Sequence, residues 1–306
     1  MLTMGIDVGG TNIRFGVFEN GNLIKVMRLE ANLSHHCQAI PAENAALEIV
    51  RILSGEIVNV IEQYADIQAI GIGFPGFIHP DSKKIIQSPN LPGLSYFDLQ
   101  GKLEIILDLP VSIDNDANAA AYGEYCLAKK PPEGLIYLGL GTGVGSGLVI
   151  NGQLYTGQHG VAMEVGHMIV EPNGRQCGCG NKGCLEQYAS ATGVVISYFQ
   201  ATKQLLTAQE IADLANKGDT FALQSYQLAA RVLAQTLANL AKILDIKNIV
   251  IGGGMAGAWP LMQKTFKARF DADLIPALRG NIKITISNAE DVSGMLGAAM
   301  LAMNRH

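Results

Sequence analysis

One arrangement occurs twice in this chain and limits its architecture more than any other feature. An apolar run at residues 3–8 enters Gly9-Gly10-Thr11, returns through residues 12–18, turns at Asn20-Gly21 and continues over residues 23–29. Residues 135–140 likewise enter Gly141-Thr142-Gly143-Val144-Gly145-Ser146-Gly147, return through Leu148-Val149-Ile150 and meet Asn151-Gly152. Asn-Gly between apolar runs is the strongest short-range hairpin signal. Each copy therefore predicts antiparallel strands with a tip of glycine and threonine, the first as a three-stranded meander. The 306 residues are enough for two domains, so the duplication predicts two similar α/β lobes joined near residues 114–130. No Pro- or Ser-rich linker marks the junction, which predicts an interface with a cleft. One glycine-rich tip needs only a steric explanation. Two of them, with consecutive N–H groups and a Thr hydroxyl, form donor arrays that suit phosphate oxygens, and facing hairpins would clamp the β- and γ-phosphates of a nucleotide.

The remaining pattern is alternating α/β. Residues 41–64 carry a helical period through Ala45, Ile49, Ile52, Val60 and Ile61, and residues 69–73 read as a buried strand running into Phe74-Pro75-Gly76. A loop at 88–93, a helix near 98–107, a strand at 111–113 and a helix over 117–128 follow. Residues 222–244 are interrupted by Gln224, Arg231, Gln235 and Lys242, which reads as an amphipathic core helix and not a membrane span. Hydrophobic residues at 48% against 16% charged exclude a disordered chain. A net charge of −5, with no basic run, argues against nucleic acid and anionic membrane as partners. Aromatics at 6%, with one Trp, argue against a stacking surface for single strands. No basic-then-apolar leader is visible at the N-terminus, and the expected compartment is cytoplasmic.

Five cysteines, three of them within eight positions, argue against a disulfide framework and for a thiol–metal site. Cys177, Cys179 and Cys184, with His167 ten residues upstream, supply the four N/S ligands of a closed tetrahedral Zn²⁺ site. Gly178, Gly180 and Gly183 would provide its tight turns. With no open position the ion is structural, pinning a loop that orders Glu164, His167 and Glu186. Cys37, Cys126, His35, His36, His79, His159 and His306 lie outside any motif.

Asp114-Asn115-Asp116 joins a strand to a helix, where a carboxylate can accept the proton of an attacking hydroxyl while the amide orients it. One of the three is equally a helix N-cap, and the local sequence leaves open which. Asp7, beside the first tip, is a hard oxygen ligand suited to Mg²⁺, directly or through water. Residues 249–251 followed by Gly252-Gly253-Gly254-Met255-Ala256-Gly257 spell the glycine pattern of a dinucleotide site, but only 49 residues follow Gly257, too few for the rest of such a domain. A glycine turn under an adenosine ring fits the hairpins better.

These segments together resemble the ROK (repressor, open reading frame, kinase) sugar kinases, in family order and over nearly the whole chain. Residues 7–14 resemble the family's phosphate-binding start, Asn115-Asp116-Ala117-Asn118-Ala119-Ala120 its catalytic segment, and residues 141–145 its second phosphate loop. Glu164-Val165-Gly166-His167, with Cys177-Gly178-Cys179-Gly180 and Gly183-Cys184-Leu185-Glu186, is similar to its zinc and sugar signature. Gly252-Gly253-Gly254 resembles its adenosine segment and residues 294–302 its closing helix.

The resemblance implies a two-lobed, actin-like ATPase (ribonuclease-H-like) α/β fold with mixed sheets and an inserted zinc loop. The expected smaller lobe is 1–113, completed by a helix at about 293–306, and the larger lobe 114–292. It implies ATP- and Mg²⁺-dependent phosphorylation of a hexose, with glucose at its 6-hydroxyl the first expectation, a role in glycolysis, and a homodimer. An N-acetylhexosamine (N-acetylglucosamine or N-acetylmannosamine), fructose or allose are alternatives. By resemblance, Asp116 is the general base, and Gly76, Asn90, Asn115, Glu164, His167 and Glu186 meet the sugar, His167 also ligating zinc. Asp7, Gly9, Gly10, Thr11, Asn12, Gly141, Thr142, Gly143, Gly253 and Gly254 hold the nucleotide. The chain departs from the family at Met163, where Gly is usual, and at Asn12, where Lys is common. The family also includes repressors, which need a DNA-reading helix-turn-helix ahead of this body. The first phosphate turn, opening at Gly5, is expected to leave no room for one.

Overall fold

The computed structural model describes every residue except Pro89, Asn90, Pro92, Gly93, Glu290, Asp291, Arg305 and His306, and the side chains of Ala42 and Glu43 are also outside the description. In chain order the elements are β1 (Leu2–Val8), β2 (Asn12–Glu19), β3 (Asn22–Glu30), α1 (Leu33–Ala39), α2 (Ala42–Gln63), β4 (Ile67–Phe74), β5 (Phe77–Ile78), β6 (Ile85–Gln87), β7 (Ser95–Phe97), α3 (Leu99–Leu107), β8 (Val111–Asn115) and α4 (Asp116–Leu127). There follow β9 (Gly134–Leu140), β10 (Val144–Ile150), β11 (Gln153–Leu154), α5 (Glu186–Ala189), α6 (Ala191–Thr202), α7 (Ala208–Asn216), α8 (Thr220–Leu244), β12 (Asn248–Gly252), α9 (Trp259–Asp273), β13 (Lys283–Ile286) and α10 (Val292–Met303). The chain divides into two compact units, Met1–Glu133 with Gly147–Met163 and Asp291–His306, and Gly134–Ser146 with Glu164–Glu290.

The duplication expected from the sequence is present in the strand orders. One sheet runs β3-β2-β1-β4-β8 and the other β11-β10-β9-β12-β13. In the first, β1 pairs antiparallel with β2 and parallel with β4, which pairs parallel with β8. In the second, β9 pairs parallel with β12 and β12 parallel with β13. The fold is mixed α/β with mixed sheets, as expected. Both Asn-Gly turns adopt the left-handed backbone such a hairpin requires, Asn20 and Gly21 at φ 49° and 80°, Asn151 and Gly152 at φ 50° and 77°.

One expectation is corrected. Residues 141–147 do not form a single loop: the turn closes at Gly143 and β10 begins at Val144, so Gly145 and Gly147 lie within the strand. A Cβ at Gly147 would stand 2.6 Å from the Ala121 Cβ and 3.1 Å from the Ala117 carbonyl oxygen of α4. That glycine admits a helix to the strand and is not part of a phosphate turn.

In the first unit α2 buries Ala45, Ile49, Leu53, Ile57 and Val60 in a core with Ile6, Ile72 and Ile113 of the sheet, while Ile52 and Ile61 are only partly buried. α10 packs on the same sheet by backbone approach. A Cβ at Gly5 would fall 1.8 Å from the Met295 carbonyl oxygen, at Gly71 1.8 Å from that of Ala298, and at Gly297 1.7 Å from that of Ala119. No described helix is long and apolar enough to cross a membrane.

Because the Gly297 contact is backbone against backbone, neither side can yield by a rotamer change. Gly297→Ala is expected to cost about 2 kcal/mol or more of stability, as overpacking does, read as a lowered midpoint in thermal or urea unfolding. An unchanged midpoint would contradict this packing of α10.

Candidate functional site

Strand register assembles the first part of the site. Asp7 at the end of β1 faces Arg14 on β2 and Gly73 on β4, and Gly73 in turn faces Asp114 on β8. One cross-strand row therefore carries Arg14, Asp7, Gly73 and Asp114, with the two carboxylate-bearing positions two strands, about 10 Å, apart. Arg14 Nη1 pairs with Asp7 Oδ2 at 3.1 Å. A Cβ at Gly294 would lie 3.2 Å from the Asp7 carboxyl carbon, so the first turn of α10 also lies against this group. Directly after β1, the Gly9 N–H donates to the Asn12 carbonyl at 2.9 Å and closes the first turn. The Gly10 and Thr11 carbonyls accept from Ser34, Ala31 and Asn32, while Thr11 and Asn12 are exposed.

At the end of β8 the choice of N-cap is settled. The Asn115 Oδ1 accepts from the N–H groups of Ala117 and Asn118 at 2.9 and 3.1 Å, and its Nδ2 donates to the Gly76 carbonyl at 3.1 Å. Asp116 is the first residue of α4, with its Oδ1 accepting from Ala117 N–H at 2.8 Å. Asp114 acts behind both. Its side chain is 12% exposed, its Oδ1 accepts from Asn115 N–H and Asn118 Nδ2, and Lys83 Nζ stands 3.9 Å from Oδ2. Lys83 lies in the loop between β5 and β6, where no motif marks it, and the sequence reading missed it. Gly76, at φ 148°, leaves no room for a Cβ, which would meet the Gln87 carbonyl oxygen at 2.6 Å. Asn90, the remaining candidate of this segment, lies outside the described residues.

The other unit carries the second turn, the glycine segment and the zinc candidates. β9 and β12 end side by side, Gly139 opposite Gly252, so residues 141–143 and 253–254 leave the sheet together. A Cβ at Gly253 would strike the Leu140 carbonyl oxygen at 2.5 Å, whereas Gly254 has nothing within 4 Å and is exposed, leaving its backbone approachable. The carbonyls of Gly141, Thr142 and Gly143 accept from Ala191 N–H, Thr192 Oγ1 and Gly141 N–H. The Glu186 Oε2 accepts from Val144 N–H at 3.0 Å.

The ligand atoms of His167, Cys177, Cys179 and Cys184 all lie within 4.8 Å of one another. His167 Nδ1 is 3.7 Å from Cys177 Sγ, and Cys179 Sγ is 3.6 Å from Cys184 Sγ. A tetrahedron with Zn–S bonds of about 2.3 Å has edges of about 3.8 Å, so the donor type, number and spacing fit zinc. Gly180 and Gly183 take positive φ, 94° and 81°, but Gly178 does not and is sterically open, contrary to the turn role expected for it.

Arg175, also missed from the sequence, fastens this loop. Its guanidinium lies 4.4 Å over the Tyr188 ring and donates to the Gly193 carbonyl, Ser197 Oγ and Gln200 Oε1, partners 18 to 25 residues away. His167 turns its other nitrogen, Nε2, to within 3.8 Å of Glu164 Oε2. Burial holds the Glu164 carboxyl above the ordinary carboxylate range; His167 opposes that shift and the charge of Glu186 adds to it. Met163 sits at φ 66°, a left-handed conformation that β-carbons disfavour, which explains in backbone terms why a glycine suits the position. Burial raises the thiols of Cys37 and of Cys126, the latter to about 11, which disfavours the thiolate form of both.

The chain matches the ROK family over residues 3–305. It is 34% identical to a glucokinase of Halalkalibacterium halodurans, covering 97% of this chain and 94% of that one. It is 32% identical to an N-acetylmannosamine kinase of Shigella boydii, covering 99% and 98%. Among solved structures, a ROK family glucokinase from Streptomyces griseus in complex with glucose and AMPPNP superposes with a TM-score of 0.83 at 31% identity, covering 99% of this chain and 100% of that one.

The four-ligand cluster makes a direct prediction. Purified protein should hold about one zinc per chain, and Cys179→Ser should lower metal content and the thermal midpoint together. A metal-free variant with an undiminished midpoint would remove the structural role of the ion.

Proposed function

The chain belongs to the ROK family and is one of its sugar kinases, and on that premise we propose that it transfers the γ-phosphoryl group of ATP to the 6-hydroxyl of glucose. The observation that carries the chemistry is the row holding Asp7, Gly73 and Asp114, with Asp116 two residues on at the start of α4. The 9–11 turn and the carboxylate read here as the general base thereby leave one sheet at the same end. What supports glucose is the likeness to glucokinases over whole chains.

In this reading Asp116 accepts the proton of the attacking hydroxyl. Asn115 has both lone pairs committed to the α4 N-terminus and one N–H committed to Gly76, so it meets the sugar as a donor through its remaining N–H. Glu164 and Glu186 accept hydrogen bonds from sugar hydroxyls, and His167 Nε2 completes the set. The backbones of Gly9–Thr11 and Gly141–Gly143 hold phosphate oxygens, and the open Gly254 backbone meets the adenosine. Asp7 has the hard donor magnesium needs but already shares Arg14, so it would hold the ion through water; bound there, Mg²⁺ would neutralise phosphate charge. Zinc, held by His167 and the three cysteines, offers no open position and would serve to fix the orientation of the His167 ring.

N-acetylmannosamine is the second reading, favoured by the 32% identity to a kinase named for it. An ATP-consumption assay across glucose, mannose, fructose, allose, N-acetylglucosamine and N-acetylmannosamine separates the two. Glucose should show the highest kcat/KM, and a higher value for N-acetylmannosamine would reassign the substrate. Asp116→Asn should lower kcat by about 10²-fold or more with sugar affinity held; an unaltered kcat would exclude it as the base.

A further inference from the structure

We propose that Glu186 is a shared ligand: one carboxylate oxygen positions the second phosphate turn through the Val144 N–H while the other takes a sugar hydroxyl, so that sugar and triphosphate bind cooperatively through this one side chain. The inference deepens, and rests on, the reading of the site given above.

Glu186 opens α5 and reaches across 42 residues of sequence to accept from Val144 N–H at 3.0 Å, immediately beyond the 141–143 turn. The same oxygen fills the space beside Gly143, where a Cβ would lie 2.3 Å from it. Gly143 is not in a left-handed conformation, so its glycine is explained by the carboxylate it admits and not by the backbone it adopts. The turn has few other ways to move. Ala191 and Thr192, on the element that follows α5, hold the carbonyls of Gly141 and Thr142 at 2.9 and 2.8 Å. Turn, Glu186 and the start of α6 therefore form one hydrogen-bonded body, with the Glu186 carboxylate at its centre.

The energetic consequence follows from the torsions of a single side chain. A glutamate loses rotamer freedom when it is held. The bond to Val144 and a bond to a sugar hydroxyl fix the same torsions. A sugar that orders Glu186 therefore also orders the N–H array at the turn, and a triphosphate that orders the turn leaves less disorder for the sugar to remove. Coupling of this kind is reciprocal.

The test is isothermal titration of the intact protein with AMPPNP, with and without saturating glucose, and the converse titration; N-acetylmannosamine replaces glucose should the sugar panel select it. Wild type should show each ligand tightening the other by about fivefold or more. Gly143→Ala, which displaces the carboxylate from Val144, should bring that factor close to one. Glu186→Asp, which keeps the charge but shortens the reach, should do the same. In ¹⁵N spectra the Val144 amide should shift on adding sugar alone in wild type and stay in place in Gly143→Ala. Coupling of equal size in wild type and both variants would overturn the proposal, as would wild-type binding of the two ligands with no coupling. In either case the kinase reading stands. If neither sugar nor AMPPNP binds at all, the reading of the site falls and the proposal falls with it.

Discussion

Parallel pairing of β1, β4 and β8 is the constraint from which the rest of the first unit follows. In a parallel ladder the strands end on the same side, so residues far apart in sequence emerge as neighbours without any contact between their side chains. Asp7 and Asp114 are 107 positions apart and share a row because Gly73 pairs with both. A register slip of one residue on β8 would turn Asp114 to the other face of the sheet and shift the start of α4 with it. The same logic acts in the second unit, where β9 and β12 end together and bring the 141–143 turn beside Gly253 and Gly254.

Charge at the end of β8 is held by burial with compensation. An isolated carboxylate 12% exposed would be costly. Asp114 is tolerated because it accepts from a backbone N–H and from Asn118 Nδ2 and faces Lys83 at 3.9 Å. Those bonds fix the segment from which Asn115 caps α4 and Asp116 begins it. The triplet thus divides its labour: Asp114 anchors, Asn115 caps, and Asp116 stands at the helix start, where its Oδ1 accepts from the Ala117 N–H. Removing Lys83 would leave the anchor's charge less well compensated, which makes a residue remote from any motif part of the site's support.

What was legible in the sequence was whatever depended on neighbours in the chain. The Asn-Gly hairpins follow from local backbone preference, and the zinc cluster from three cysteines within eight positions whose ligand atoms need little chain to converge. The ends of β1, β4, β8 and β12 were visible as apolar runs stopping at glycine or acidic residues. What was not legible depended on distant partners. The glycine at 147 within β10 answers to α4, 26 to 30 positions away, whose Ala121 and Ala117 leave no room for a side chain there. Arg175 is indistinguishable from a surface arginine until α6 supplies its acceptors. The tie from Glu186 to Val144 has no pattern because a backbone N–H carries no sequence label. The assignment of Asn115 as the cap needed the actual backbone, since all three residues of the triplet are competent caps.

The loop bearing His167 and the three cysteines fits zinc, and an ion held there would orient its neighbours without contacting a substrate. His167 presents Nδ1 to the cysteines and Nε2 to Glu164, so a metal on the first nitrogen fixes the tautomer and the ring plane of the second. Cys184 stands two residues before Glu186, and Arg175 fastens the same loop to α6, whose first residues brace the 141–143 turn. The segment carrying Glu164, His167 and Glu186 is therefore tied to a cluster of four metal-competent ligands and to a half-buried arginine. Burial raises the Glu164 carboxyl, and the charge of Glu186 adds to that shift. Hydrogen-bond donors without charge, such as hydroxyl groups, are the neutral partners that two neighbouring carboxylates favour.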